Sequence, residues 1–202
     1  MIGSRIGHRL DPLLVRIFRL FFGNASVSPN ILTIIGLLLS LVTFFFTAVT
    51  GQLLIAGVFL VASGFFDLLD GAVARSTNMV TKFGGFLDSV LDRYSDLIVM
   101  FGVSIYFLGR ADTLTSMAAF FAAIGVAIVP YARARAEAAS ISCRSGILER
   151  PERVILLSLG LFFHILRPIV FILAVLTHVT VLQRVILVRR ASRSEVSGRT
   201  SS

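Results

Sequence analysis

Five aspartates, Asp67, Asp70, Asp88, Asp92 and Asp96, stand inside two neighbouring stretches that are otherwise largely apolar. In a helix Asp67 and Asp70 are i,i+3 neighbours, and Asp88, Asp92 and Asp96 recur every four residues, so each set occupies one face. A charged side chain in a bilayer costs at least ~2.5 kcal/mol on the mildest insertion scales, and like charges gathered there repel. Divalent cations relieve both penalties, because hard oxygen ligands from several carboxylates suit Mg²⁺, Mn²⁺ or Ca²⁺. Neither His nor Cys lies beside these acids in the sequence, which argues against zinc. Gly71, Gly84 and Gly85 remove side chains where bulk would obstruct a ligand. Arg75 can pair with a phosphate or with one of the acids. Carboxylates, metal ions, small residues and a cation at one membrane edge make a site for a diphosphate.

A second cluster is basic. Arg133 and Arg135 are followed by Glu149-Arg150-Pro151-Glu152-Arg153, and Arg184 lies near the end of the last apolar run. A simple alcohol would not need so many guanidinium groups. A phosphorylated one would, because the guanidinium fork matches phosphate oxygens bidentately. The plainer alternative is a positive flank that contacts lipid headgroups.

These residues need helices in a membrane to position them. Of the 202 residues, 56% are hydrophobic and only 15% charged, against about 25% charged in a typical soluble domain. The mean hydropathy is +0.90. The net charge of +8 therefore points to anionic headgroups and phosphate-bearing substrates, not to nucleic acid. Residues 2–21 alternate arginines with apolar residues and predict an amphipathic helix lying in the membrane interface (1–24 with its flanks). A polar turn, Asn24 to Asn30, leads into six predicted spans between 31 and 188: about 31–49, 53–74, 84–108, 114–131 (continuing as a basic helix to 138), 152–166 and 168–188. Residues 1–190 thus form one all-α membrane domain, and 191–202, rich in Ser and Arg, a disordered tail. With both termini on the cytoplasmic side, that side collects 16 of the 19 Lys and Arg residues, as the positive-inside bias requires.

The acidic stretch carries a resemblance. Asp67-Leu68-Leu69-Asp70-Gly71-Ala72-Val73-Ala74-Arg75, eight residues, Gly84, three residues, Asp88, three residues and Asp92 resembles the CDP-alcohol phosphotransferase signature at every fixed position. The resemblance implies a six-span membrane enzyme, usually a homodimer, that works at the cytoplasmic face. It implies two divalent ions, Mg²⁺ or Mn²⁺, held by Asp67, Asp70, Asp88 and Asp92, with Asp92 also the general base. Asp67, Gly71, Ala74, Arg75 and Gly84 would lie against the CDP-lipid donor. The segment Pro29-Asn30-Ile31-Leu32-Thr33 resembles the family's approach to the first span, so Pro29, Asn30 and Thr33 would touch the nucleotide; a simple helix start explains them equally. The basic cluster resembles the phosphatidylinositol phosphate and archaetidylinositol phosphate synthase branch. That places Arg133, Arg135, Arg150, Arg153 and Arg184 on the acceptor phosphate and favours inositol phosphate as acceptor, with CMP released. Pro130 and Arg133 depart from the branch, which often has a small hydroxyl residue and a Lys there. A phosphatidylglycerophosphate-type synthase using glycerol phosphate is the rival within the fold. An intramembrane prenyltransferase would carry its two acidic motifs far apart. A cation transporter would place acids in both halves of the chain.

Overall fold

The computed structural model describes residues 12–16, 28–143 and 146–199, and every regular element among them is helical. Helix α1, Pro29–Phe45, starts with its proline in the first turn, where the missing N–H costs nothing. A π-helical turn, Phe46–Thr50, ends it at Gly51, whose φ of 68° closes the helix in the left-handed region. The Arg110 guanidinium lies where a Cβ on Gly51 would stand, 2.9 Å away. Helices α2, Leu53–Ser76, and α3, Lys82–Leu108, follow. Thr81 caps α3 by accepting from the Gly84 N–H at 2.9 Å. Asp112 caps α4, Thr113–Ala138, by accepting from the Thr115 N–H and hydroxyl. A reciprocal capping box of Glu149 and Glu152 starts α5, Arg150–Phe162. Helix α6, Leu166–Arg199, closes the chain.

These helices start and stop within a few residues of the predicted spans, except at the end. The backbone of 191–199 continues α6 where a disordered tail was expected. Extending an existing helix adds a hydrogen bond per residue, which carries α6 past the middling helix formers Ser192, Ser194, Val196 and Ser197. Among the described residues, four helices are long and apolar enough to cross a membrane: 29–50, α2, α4 and α6 as far as 193. Helix α3 has the length, at 27 residues, but carries Asp88, Asp92, Arg93 and Asp96. Helix α5 has 13 residues, about 20 Å of rise, less than the ~30 Å hydrocarbon core. Of the predicted interfacial helix, only 12–16 lies within the described residues. It is helical, with Leu14 buried against Leu32, Leu69, Ala72 and Val73 and Arg16 exposed.

Packing makes a closed circuit. Helix α1 packs on α2 and α3, α3 on α4, α4 on α6, α6 on α5, and α5 on α2. The pattern of exposure is that of a lipid-facing protein. Ile34, Leu38, Phe45, Phe101, Phe120 and Leu182 point outward, while Ser40, Ser63, Thr43, Thr47, Thr177 and Thr180 are buried. The Ser40 and Ser63 hydroxyls meet at 2.8 Å between α1 and α2, and Ser104 bonds Ser116 between α3 and α4. Such hydroxyl links, with small residues at close crossings, substitute for the hydrophobic drive that lipid removes. Gly102 is one such crossing, since a Cβ there would sit 3.2 Å from the backbone of Phe44.

Candidate active site

The start of α1, the end of α2, the start of α3, the end of α4 and the start of α5 all lie at one end of the circuit. This end gathers the acids. One carboxylate oxygen from each of Asp67, Asp70 and Asp88 lies within 4.8 Å of the other two. Asp70 is 5% exposed, and its Oδ2 is buried without a hydrogen-bond partner. A buried, orphaned carboxylate oxygen is rare in a finished fold. The three-acid set is hard, anionic and oxygen-only, which fits a divalent ion of the Mg²⁺ or Mn²⁺ type.

On one side of these acids is a cavity of ≈ 280 Å³, lined by Pro29, Asn30, Thr33, Gly71, Ala74, Arg75 and Gly84 together with Asp70 and Asp88. All the residues expected on the nucleotide are thus on one wall system except Asp67, which stands behind it among the acids. The glycines clear its floor. A Cβ on Gly71 would come within 3.0 Å of the Arg75 guanidinium, and one on Gly84 within 3.3 Å of the Asn30 side chain. Thr33 shares this wall with Asp70, its hydroxyl donating to the Pro29 carbonyl at 3.2 Å, so the first turn of α1 stands against the acid group.

On the other side is a cavity of ≈ 490 Å³, lined by Asp92, Arg93, Arg133, Glu137, Glu149, Arg150, Arg153 and Arg184 among others. Arg153, 4% exposed, donates to Asp96 at 2.5 Å. Arg150 pairs with Asp67, with Asp92 at 3.0 Å and with Asp96 at 3.5 Å. Arg184 is buried, donates to the Val129 carbonyl and lies 3.9 Å from Glu149. Arg133 pairs with Glu137 at 2.9 Å. Arg135 is exposed and does not line this cavity. Two residues apart on α4 is about 200° around the helix, so Arg133 and Arg135 cannot both face inward. Three members, Glu137 among them, were not read from the sequence as part of this cluster. Arg93 joins the cavity wall from α3, and Asp96 holds Arg150 and Arg153 in place. Their signal was helical register, since Arg93 and Asp96 follow Ser89 by four and seven residues.

Asp88 faces the first cavity and Asp92 the second. One helical turn, about 6 Å of rise, separates them. The acid group therefore forms the partition between a small-residue cavity and an arginine-rich one.

The profile of the CDP-alcohol phosphatidyltransferase family matches residues 26–188. The chain is similar to an archaetidylinositol phosphate synthase of Pyrococcus horikoshii, 39% identical over 183 residues that cover 90% of this chain and 94% of the relative. It is also similar to the crystal structure of a phosphatidylinositol phosphate synthase of Mycobacterium tuberculosis with CDP-DAG bound. The TM-score is 0.74 at 28% identity, over 91% of this chain and 94% of that one. A second structure of that enzyme, in complex with manganese and citrate, matches with a TM-score of 0.76 at 28% identity, over 88% of each chain.

Proposed function

The chain belongs to the CDP-alcohol phosphatidyltransferase family, and from that premise we propose that it transfers the phosphatidyl-type group of a CDP-lipid to inositol phosphate, releasing CMP. What carries this reading is the pair of cavities sharing one acidic partition, with Arg93, Arg133, Arg150, Arg153 and Arg184 all lining the larger. A phosphate monoester is the small ligand that such a set of forks fits. The carboxylates of Glu137 and Glu149 on the same wall accept from hydroxyls, which suits a polyol bearing that phosphate. The names of the relatives, an archaetidylinositol phosphate synthase and a phosphatidylinositol phosphate synthase, point the same way.

In the donor cavity, Pro29, Asn30 and Thr33 from α1 and Gly71, Ala74 and Arg75 from α2 hold the cytidine diphosphate, while Gly84 leaves room for it. Asp67, Asp70, Asp88 and Asp92 hold two divalent ions, Mg²⁺ or Mn²⁺. When bound, such ions offset negative charge on the diphosphate and on the departing CMP. In the acceptor cavity, Arg133, Arg150, Arg153 and Arg184 orient the inositol phosphate, with Arg93 beside them and Arg135 contributing from the rim. Asp92 takes the proton of the attacking hydroxyl. That oxygen bonds to the lipid-side phosphorus as the bond from this phosphorus to the CMP oxygen breaks, and Asp92 then passes its proton to water. Burial of the partition keeps water from competing as nucleophile.

The same reading assigns six spans to α1–α6, with charged α3 and short α5 sheltered by their neighbours. It places an interfacial helix over 1–24, one membrane domain over 1–190, and the site and both termini at the cytoplasmic side in a homodimer. Purified protein given a CDP-lipid and inositol phosphate, glycerol phosphate or serine in parallel tests the function by CMP release. Inositol phosphate should give the highest kcat/KM. Faster turnover with glycerol phosphate would overturn the acceptor, and no CMP with any of the three would overturn the reaction.

A further inference from the structure

We infer that Arg150 serves two sites in turn: its guanidinium neutralises the acid partition when no divalent ion is bound, and grips the acceptor's phosphate once an ion has displaced it. Metal and acceptor then bind with positive coupling. The inference rests on the function proposed above.

The geometry is unusual for a residue of a phosphate pocket. Arg150 lines the arginine-rich cavity, yet its head group is engaged by the acids at the cavity's edge, Asp67 and Asp92. Asp67 belongs to the three-acid group, so its oxygens cannot serve a guanidinium and a doubly charged ion in the same place. Adding the ion also sets two cations side by side, which favours withdrawal of the mobile one. Arg150 is built to be that one. The capping box fixes the backbone at the start of α5, leaving the side chain as the moving part. Its Nε is buried without a good hydrogen bond, and its third partner, Asp96, lies at 3.5 Å. When Arg150 leaves, Asp96 still has Arg153 at 2.5 Å, while Asp67 and Asp92 pass from the guanidinium to the ion. The withdrawn guanidinium enters a cavity whose wall already bears Arg133, Arg153 and Arg184. Each of those cations has a carboxylate of its own, Glu137, Asp96 or Glu149, so the withdrawn guanidinium finds its strongest partner there in an oxyanion. An oxyanion in the cavity therefore draws Arg150 off the acids and tightens the ion, and by linkage the ion tightens the oxyanion by the same factor.

Mn²⁺ binding to the metal-stripped protein in detergent, read by electron paramagnetic resonance of the free ion, tests this without turnover. Sulfate serves as the oxyanion because it complexes Mn²⁺ only weakly. In the unaltered protein sulfate should tighten Mn²⁺ about fivefold or more. In Arg150→Gln, Mn²⁺ alone should bind about tenfold tighter than in the unaltered protein, and sulfate should add nothing. Arg167→Gln, which removes an exposed cation at the far end of the circuit, should keep both the Mn²⁺ affinity and its response to sulfate. No sulfate effect in the unaltered protein, or equal or weaker Mn²⁺ binding in Arg150→Gln, would overturn the inference; the first of these needs no variant to fold. If Asp70→Asn and the unaltered protein bind Mn²⁺ alike, the metal site itself has been misplaced, a separate failure.

Discussion

At the scale of single residues, charge is shared unevenly across the partition. Asp96 holds two arginines, Asp67 and Asp92 share one, and Asp70 keeps an oxygen with no partner. Asp92 is the aspartate that lines the larger cavity, and on the proposed mechanism Asp92→Asn removes the proton acceptor while keeping its shape. We expect turnover to fall by about 10²-fold or more, with CDP-lipid binding by fluorescence or calorimetry little changed; near-normal turnover would deny Asp92 its role as base. Arg153→Lys keeps the charge but loses the fork. Its expected signature is a KM for inositol phosphate raised about tenfold with the KM for CDP-lipid unchanged, and equal rises in both would assign Arg153 a general electrostatic role. The acid spacing was legible in the sequence because helical register is local. The pairing of Arg150 with Asp67 was not, because it depends on α5 standing beside α2, across more than eighty positions of chain.

At the scale of helices, caps and close crossings fix the frame. The Thr115 hydroxyl and N–H hold the Asp112 carboxyl below the usual carboxylate range. A depressed folded value means the stabilisation is present above the ordinary range and fades as the pH falls through the folded one. Asp112→Ala should therefore melt lower than the unaltered protein at pH 7, and the gap should close in acid; a gap independent of pH would assign the loss to packing. Gly102 lies against the backbone of Phe44, which cannot swing away as a side chain can. Gly102→Val should cost about 1–3 kcal/mol, read as a lower melting temperature in detergent with both KM values intact. Helix limits were legible because apolar runs and their Pro, Gly and polar punctuation are local signals. The extension of α6 through 191–199 was missed because composition was weighed above the low cost of prolonging a helix already formed.

At the scale of the whole molecule, the circuit of helices leaves Phe, Leu and Val outward and hydroxyls inward, and composition alone had placed it in lipid. Sidedness is the part that charge bias proposes. Cysteines introduced at Ser76 and at Arg110, in a protein whose own Cys143 is buried, should react with a membrane-impermeant maleimide from opposite faces, Ser76 from the cytoplasmic one; labelling from the same face would refute the arrangement. Both cavities lie at one end of the circuit, whereas the far end is drawn together by local contacts such as Arg110 over Gly51 and Arg167 beside Asp112 at 3.4 Å. A sealed vesicle would accordingly hide every copy whose mouth faces the lumen. The share of activity that appears only after permeabilisation would count the inverted copies, which makes the protein a gauge of its own insertion.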